Sequence, residues 1–369
     1  MVNVGALTVG VEEEFLLVDA ATRITSPRAA SVLARLAEVP LPAEGMSFQA
    51  ELAATQLEAA TGVCLDLTSL RGQLWEGRAC LAAAAEAEGL RLVSTGNPVL
   101  TRHTVPFMPG DHYARVTETL AGAVAGYESC GCHVHVGVAD RELAVAVLNH
   151  LRPWLPTLLA VSVNSPFDHG RDSGYASWRI QAQARFPGAG VPPWFSSATA
   201  YDRRLHRLVE LGALADTSTT YWLARPSPWL PTIEIRAADA ASTVDEAVLQ
   251  AAMARALVLT ALTELGEGRE ALPVDDQLCA AALWSAARYG LSGPGIHPLK
   301  ELRVDATVLL EELLRRVRPA LEETGDLAMV RRSIRRLGPG GTGAARQREA
   351  AVHGLPNVVD MLVRQTGRR

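Results

Sequence analysis

Lysine is almost absent from this chain: among its 35 basic residues only Lys300 is not arginine. That scarcity excludes the usual phosphate-binding loop, which needs Gly-Lys-Ser/Thr after a glycine-rich turn. Any clamp on a phosphate must therefore come from arginine, backbone amides or metal. Cysteine is also sparse. Cys64, Cys80, Cys130, Cys132 and Cys279 are too few for a disulfide scaffold in 369 residues, and their number is odd. No uninterrupted apolar run of membrane-spanning length occurs, and the N-terminus lacks the charged and apolar regions of a signal peptide. The expectation is a cytoplasmic protein with free thiols. A net charge of −5 argues against a general nucleic-acid binder. The last 55 residues do hold twelve arginines against five acids, but without interleaved aromatics they read as a solvated helical surface.

What is present is a strand with too many acids. Thr8–Val18 reads Thr-Val-Gly-Val-Glu-Glu-Glu-Phe-Leu-Leu-Val. Side chains alternate along a strand, so Glu12 and Glu14 share one face, while Glu13 lies with Val9, Val11, Phe15 and Leu17. Two carboxylates side by side repel unless something positive stands between them, and a hard cation such as Mg²⁺ prefers carboxylate oxygen. Three further segments repeat the pattern of ionisable residues at alternate positions. They are Cys130-Gly-Cys-His-Val-His-Val-Gly-Val138 with His133 and His135, Thr232-Ile-Glu-Ile-Arg-Ala237 with Glu234 and Arg236, and Gln49–Glu58 with Glu51 and Glu58 across a bend. One such strand is an ordinary wet face of an antiparallel sheet. Four of them point to one sheet face lining a polar, metal-binding cavity. A zinc site from Cys130, Cys132, His133 and His135 is disfavoured, because the cysteines face the opposite way from the histidines.

Strand-like runs cover about 7–18, 46–60, 90–96, 130–138, 217–223 and 231–237. Helix-like runs cover about 68–88, 140–163, 202–212, 243–266, 275–289, 303–323, 326–336 and 343–366. Strict alternation is missing, so the expected class is α+β, a largely antiparallel sheet covered by helices. The chain reads as one catalytic domain, residues 1–369, with a helical segment from about 300 packed onto it. The stretch 164–200, rich in Gly, Pro, Ser and aromatics, reads as a functional loop that offers Arg179 to an anion.

Taken together, the motifs resemble the carboxylate–amine ligases of the glutamate–cysteine ligase type 2 family. The matching stretches are Gly10–Phe15, Glu51-Leu with Gln56-Leu-Glu58, Cys130–Gly137, Asn164-Ser-Pro-Phe with Gly174–Arg179, Arg225-Pro-Ser227, Pro231–Arg236 and Arg288-Tyr-Gly290. The resemblance implies a glutamine-synthetase-like fold, a curved antiparallel sheet with helices on its convex side. It implies two or three Mg²⁺ ions with ATP on the concave face, and small-molecule substrates, glutamate and an amine. The activity implied is amide formation through an acyl phosphate, by a homodimer in the cytoplasm. By that resemblance Glu12, Glu14, Glu51, Glu58, His133 and Glu234 are the metal ligands. Arg236 and Arg179 would act on the transferring phosphate, while His135, Tyr175, Arg179 and Arg225 would contact substrate. The chain departs from the family pattern at Leu223-Ala224 and at Ala281-Ala-Leu-Trp-Ser285, where polar residues are expected. Those changes imply an altered amine acceptor. Two other classes remain open: a metal-dependent hydrolase built on His133 and His135, and a non-catalytic nucleotide or glutamate sensor.

Overall fold

The computed structural model describes residues 7–102 and 104–368. Its centre is an antiparallel sheet of seven strands: β1 (Val9–Asp19), β2 (Ser47–Ala50), β3 (Gln56–Ala60), β4 (Leu90–Val93), β5 (Gly131–Gly137), β6 (Ala224–Pro226) and β7 (Thr232–Asp239). The order is β6-β7-β5-β1-β3-β2, with β4 pairing the far end of β1. β1 is the hub, since β3, β4 and β5 all pair with it. Its apolar sequence suits that central place, because a strand paired on both edges cannot afford proline and gains from β-branched packing.

Thirteen α-helices are present among the described residues: α1 (Ala29–Leu36), α2 (Leu67–Ala87), α3 (Asp111–Leu120), α4 (Arg141–Leu151), α5 (Leu155–Ser162), α6 (Trp178–Gln183), α7 (Ala198–Glu210), α8 (Val244–Gly266), α9 (Asp276–Tyr289), α10 (Ala306–Glu323), α11 (Leu327–Gly340), α12 (Gly343–Ala351) and α13 (Leu355–Thr366). The predicted helix over 140–163 is divided where Arg152–Trp154 tightens into a 3₁₀ turn; Pro153 and Pro156 each remove a backbone donor. The predicted helix over 343–366 is divided at Gly354, whose φ of 98° no helix accepts. α1, α3 and α6, all of ten residues or fewer, lie outside the predicted runs.

One face of the sheet is apolar. Val9, Val11, Val134 and Val136 pack with residues of α2, α4, α5 and α8 in a continuous core. α8 is 23 residues long and apolar enough to cross a membrane by composition, yet most of it is buried as the central helix of that core. Its start is fixed by a capping box between Thr243 and Glu246. Glu13 faces this apolar side, where Arg78 of α2 meets it with bonds of 2.6 and 3.0 Å. The acid between the two glutamates of the opposite face is thus a structural anchor, and both partners are fully buried.

Candidate active site

Register brings the other face together. Glu12 lies opposite His133, Glu14 opposite Glu58, and Glu234 opposite His135. Directly opposite residues in an antiparallel sheet share a face and approach closely, so four strands deliver these six side chains to one patch. The imidazole of His133 sits at its centre. Its Nδ1 is 3.5 Å from Glu12 and 4.0 Å from Glu234, and its Nε2 is 3.6 Å from Glu14. His135 Nε2 lies 3.1 Å from Glu12 Oε1 but off hydrogen-bond geometry, while its Nδ1 meets Thr232 Oγ1 at 2.9 Å. Two groups have ligand atoms close enough to hold a cation: Glu12, His133 and Glu234, and Glu14, Glu58 and His133.

The electrostatics divide the acids into two kinds. Burial works to raise the Glu12 carboxyl, but the neighbouring His133 and His135 imidazoles hold it well below the usual range. Burial likewise opposes ionisation of Glu234, and Arg236 and Arg225 overcome it. Arg225 Nε is 2.7 Å from Glu234, and Arg236 also bonds it. Burial and the neighbouring Glu14 push Glu51 up to about 8. Burial and the charges of Glu51, Glu12 and Glu14 raise Glu58 as well. These two acids therefore hold protons where no cation replaces them. Burial and Arg236 lower His133, keeping its imidazole neutral as a metal ligand requires.

A β-bulge shapes the arginine side. The register between β7 and β5 shifts between Ile235 and Ala238. One extra residue there reverses the alternation, so Asp239, opposite Gly131, joins Glu234 and Arg236 on the same face. Asp239 is fully buried and accepts hydrogen bonds from Ser165, Ser177 and the Asn164 amide. The Arg179 guanidinium lies 3.7 Å from it and donates to the carbonyl of Arg236 at 2.9 Å. Arg179 thus grips the bulge from which Arg236 projects. Gly131 makes room for this: a Cβ there would stand 2.7 Å from both Arg179 Nη2 and His133 Nε2.

Beside the cluster lies a cavity of about 220 Å³ bounded by Glu14, Glu51, Gln56, Tyr127, Tyr221 and Arg236. Tyr175 is not part of that wall: it packs against Trp178 and Arg288, and its hydroxyl accepts from Trp284. Arg225 is engaged by Glu234 and by the carbonyls of Ser218 and Thr220. Cys132 faces the helix side, within the apolar core. Cys130 packs with Leu16 and Val93 and accepts a bond from Gln56. Asp239 is the residue that sequence reading missed, because only the bulge turns it inward.

The glutamate–cysteine ligase family 2 model matches residues 8–358. The Saccharopolyspora erythraea protein named "Putative glutamate--cysteine ligase 2-2" is 53% identical over 363 residues, 98% of this chain and 93% of its own. A Nocardia farcinica protein of the same type, numbered 2-1, is 43% identical over 342 residues, 93% of this chain and 88% of its own. Among solved structures, glutamate–cysteine ligase of Francisella tularensis in complex with AMP aligns with a TM-score of 0.73 at 14% identity, covering 99% of this chain and 89% of that one. A bifunctional glutathione synthetase of Pasteurella multocida aligns at 0.69, also at 14% identity, over 98% of this chain and 52% of its own. Both share the fold, as the antiparallel sheet with its helical cover requires. The chain belongs to glutamate–cysteine ligase family 2 and is a carboxylate–amine ligase of that type.

Proposed function

We propose that this enzyme uses ATP and Mg²⁺ to join the γ-carboxylate of glutamate to an amine through an acyl phosphate. The observation that carries the reading is the carboxylate face itself: five glutamates and His133 converge beside Arg236 and a cavity. The donor set is chemically right for Mg²⁺, which takes carboxylate oxygens and keeps several waters. In this reading Glu12, Glu234 and His133 hold one ion. Glu14, Glu51 and Glu58 hold another, because a neutral imidazole has one lone pair and cannot serve both. Mg²⁺ would supply charge neutralisation where two anions must meet.

The chain's own residues do the remaining work. Arg236 faces the place where the γ-phosphoryl group would pass, and its guanidinium can take up charge developing on the equatorial oxygens. Arg179 holds the backbone of Arg236 and contacts the phosphate or glutamate beside it. His135 contacts substrate, while Arg225 acts through the Glu234 wall and Tyr175 only through Trp284, which lines a second cavity. The γ-phosphoryl moves to a carboxylate oxygen of glutamate and ADP leaves. The amine then attacks the acyl carbon, the C–O bond to phosphate breaks, and a proton from nitrogen goes to solvent or phosphate. We place the whole of residues 1–369 in one catalytic unit, working as a cytoplasmic homodimer.

The acceptor differs from cysteine in this reading. Leu223, where the family pattern is polar, lines one cavity of about 390 Å³ with Trp284, Ile180, Leu283 and Gln183. Gln183 also borders the carboxylate-side cavity. An apolar amino-acid side chain suits that space.

The test is ADP and phosphate release with Mg²⁺–ATP and glutamate across a panel of amines, with product masses read by mass spectrometry. An adduct one water lighter than its two parts, dependent on ATP and Mg²⁺, establishes the ligase and names the acceptor. Cysteine as the best acceptor by a wide margin would refute the altered specificity. Turnover without nucleotide, restored to chelated enzyme by Zn²⁺, would establish a hydrolase instead. Binding of nucleotide or glutamate with no turnover would establish a sensor.

A further inference from the structure

A third cavity, of about 610 Å³, lies apart from the carboxylate face, and none of the six proposed metal ligands lines it. Its wall is built from five helices. Arg71 comes from α2, Asp245 and Glu246 from the start of α8, Arg336 from α11, Arg346 from α12, and Arg368 from just beyond α13. This is where part of the C-terminal arginine surplus gathers.

The charges do not balance. Arg71 and Arg336 share a single carboxylate, that of Asp245, at 2.8 and 3.2 Å. Arg346 pairs with Glu246 at 2.6 Å. Arg368 has no ion-pair partner among the described residues. Among the described residues four guanidiniums thus face two acids, leaving two positive charges turned toward one half-open space. The N-terminal end of α8 adds partial positive charge to the same floor. Guanidinium forks match phosphate oxygens in pairs, and two surplus positive charges fit a dianion. Among the described residues no aromatic side chain lines the space, so a base-stacking ligand gains nothing there.

We propose that this cavity is a binding site for a small phosphate-class anion, free or carried on a metabolite, separate from the catalytic face. The proposal does not depend on the ligase reading. Occupancy would hold α11, α12 and the end of α13 together. Arg346 is followed by Gln347, which is buried and donates to both oxygens of Asn164 at 2.8 Å. The Asn164 amide in turn donates to Asp239 at 2.8 Å. The peptide link from Arg346 to Gln347, and hydrogen bonds onward from Gln347, therefore connect this cavity to the residue beside Arg179, and a bound anion would stiffen that path.

The experiment uses the full chain in EDTA, so that no cation on the carboxylate face recruits phosphate. Calorimetric titration with pyrophosphate, phosphate and glucose 6-phosphate forms three arms, with sodium chloride at matched ionic strength as control. Arg336→Ser/Arg368→Ser is the test variant; both side chains are exposed, so folding is preserved. Arg236→Ser reports on the catalytic face. The expected result is one site per chain, unaffected by Arg236→Ser and weakened by about tenfold for each arginine removed at the cavity. Tightest binding of pyrophosphate or phosphate indicates a free anion, and of glucose 6-phosphate an esterified one. Binding that vanishes with Arg236→Ser, survives Arg336→Ser/Arg368→Ser intact, or is matched by chloride overturns the proposal. So does an anion-induced change in native mass, which would make the cavity an interface between copies.

Discussion

Replacing Glu13 with glutamine should cost this protein stability rather than metal affinity. Glu13 and Arg78 are each only 2% exposed, and two parallel bonds of 2.6 and 3.0 Å join them. Arg78 also donates to the carbonyls of Ala241, Ser242 and Thr366, so it ties β1, the start of α8 and the end of α13 to α2. Glutamine keeps the shape but leaves a guanidinium charge uncompensated in the apolar layer. Breaking one side of such a pair costs about 3–5 kcal/mol. Unfolding entropy of about 2.1 cal/mol/K per residue gives roughly 0.8 kcal/mol/K for 369 residues, so a loss of about 4 kcal/mol lowers Tm by roughly 5 °C. The comparison is Glu58→Gln, which replaces a carboxyl that burial and its acidic neighbours already keep protonated when no cation is bound. In EDTA, Glu58→Gln should leave Tm unchanged or raise it, while abolishing the further rise that Mg²⁺ gives the wild type. Glu13→Gln should drop Tm in EDTA and retain the Mg²⁺ increment. Equal losses in EDTA for the two variants would refute the division of labour within this sheet.

The same acids set a pH dependence. Glu51 titrates near 8 and Glu58 is also raised, so the folded metal-free protein holds protons that the unfolded chain has released above about pH 4.5. Their contribution is therefore complete below that value and is lost as pH rises through about 8. Saturating Mg²⁺ should flatten this fall, and binding should release protons measurable by pH-stat between pH 6 and 8; no release would contradict the shared carboxylate site. Arg236→Lys should lower kcat by about 10²–10³ with little change in Tm, because an ammonium cannot reproduce the fork facing Glu234 and the phosphoryl path. Retained kcat would remove Arg236 from the chemistry. Gly131→Ala should inactivate the enzyme with only a modest stability loss, since its Cβ meets Arg179 and His133 at 2.7 Å; wild-type turnover would show that these two side chains have freedom to move.

The strands that carry charge were legible because alternation is a local property. Glu12 and Glu14 against Glu13, His133 and His135 against Cys132, and Glu234 with Arg236 all follow from period two, and the sheet register places them as that period requires. Glu51 was harder to place, since it lies outside β2 and β3 and reaches the cluster only through the bend between them. Asp239 was invisible. Counted from Glu234 it has the wrong parity, and the bulge that corrects it leaves no signature in Arg-Ala-Ala-Asp. The short helices escaped for a related reason. α3 buries only Val116, so its sequence carries almost no periodic signal. The long helices α2, α8 and α10 were found because each presents several buried turns to the core.

Charge balance gives the site an order of events. Glu12, Glu14, Glu51, Glu58 and Glu234 face Arg225 and Arg236, while Arg179 and Asp239 neutralise one another. Fully ionised, five carboxylates against two guanidiniums leave three negative charges in a half-enclosed pocket. The metal-free protein reduces that to one by keeping protons on Glu51 and Glu58. A triphosphate and a dicarboxylate amino acid would both be repelled from such a surface. Two divalent cations in place of the two protons turn the same surface net positive, by one charge. Cations should therefore bind first and anionic substrates after them. Equilibrium binding of ATP in EDTA should be weak and should strengthen when Glu12→Gln removes a negative charge, even though that variant loses catalysis. ATP binding that is equally tight with and without Mg²⁺ would show that the base and ribose, rather than this electrostatic inversion, dominate recognition.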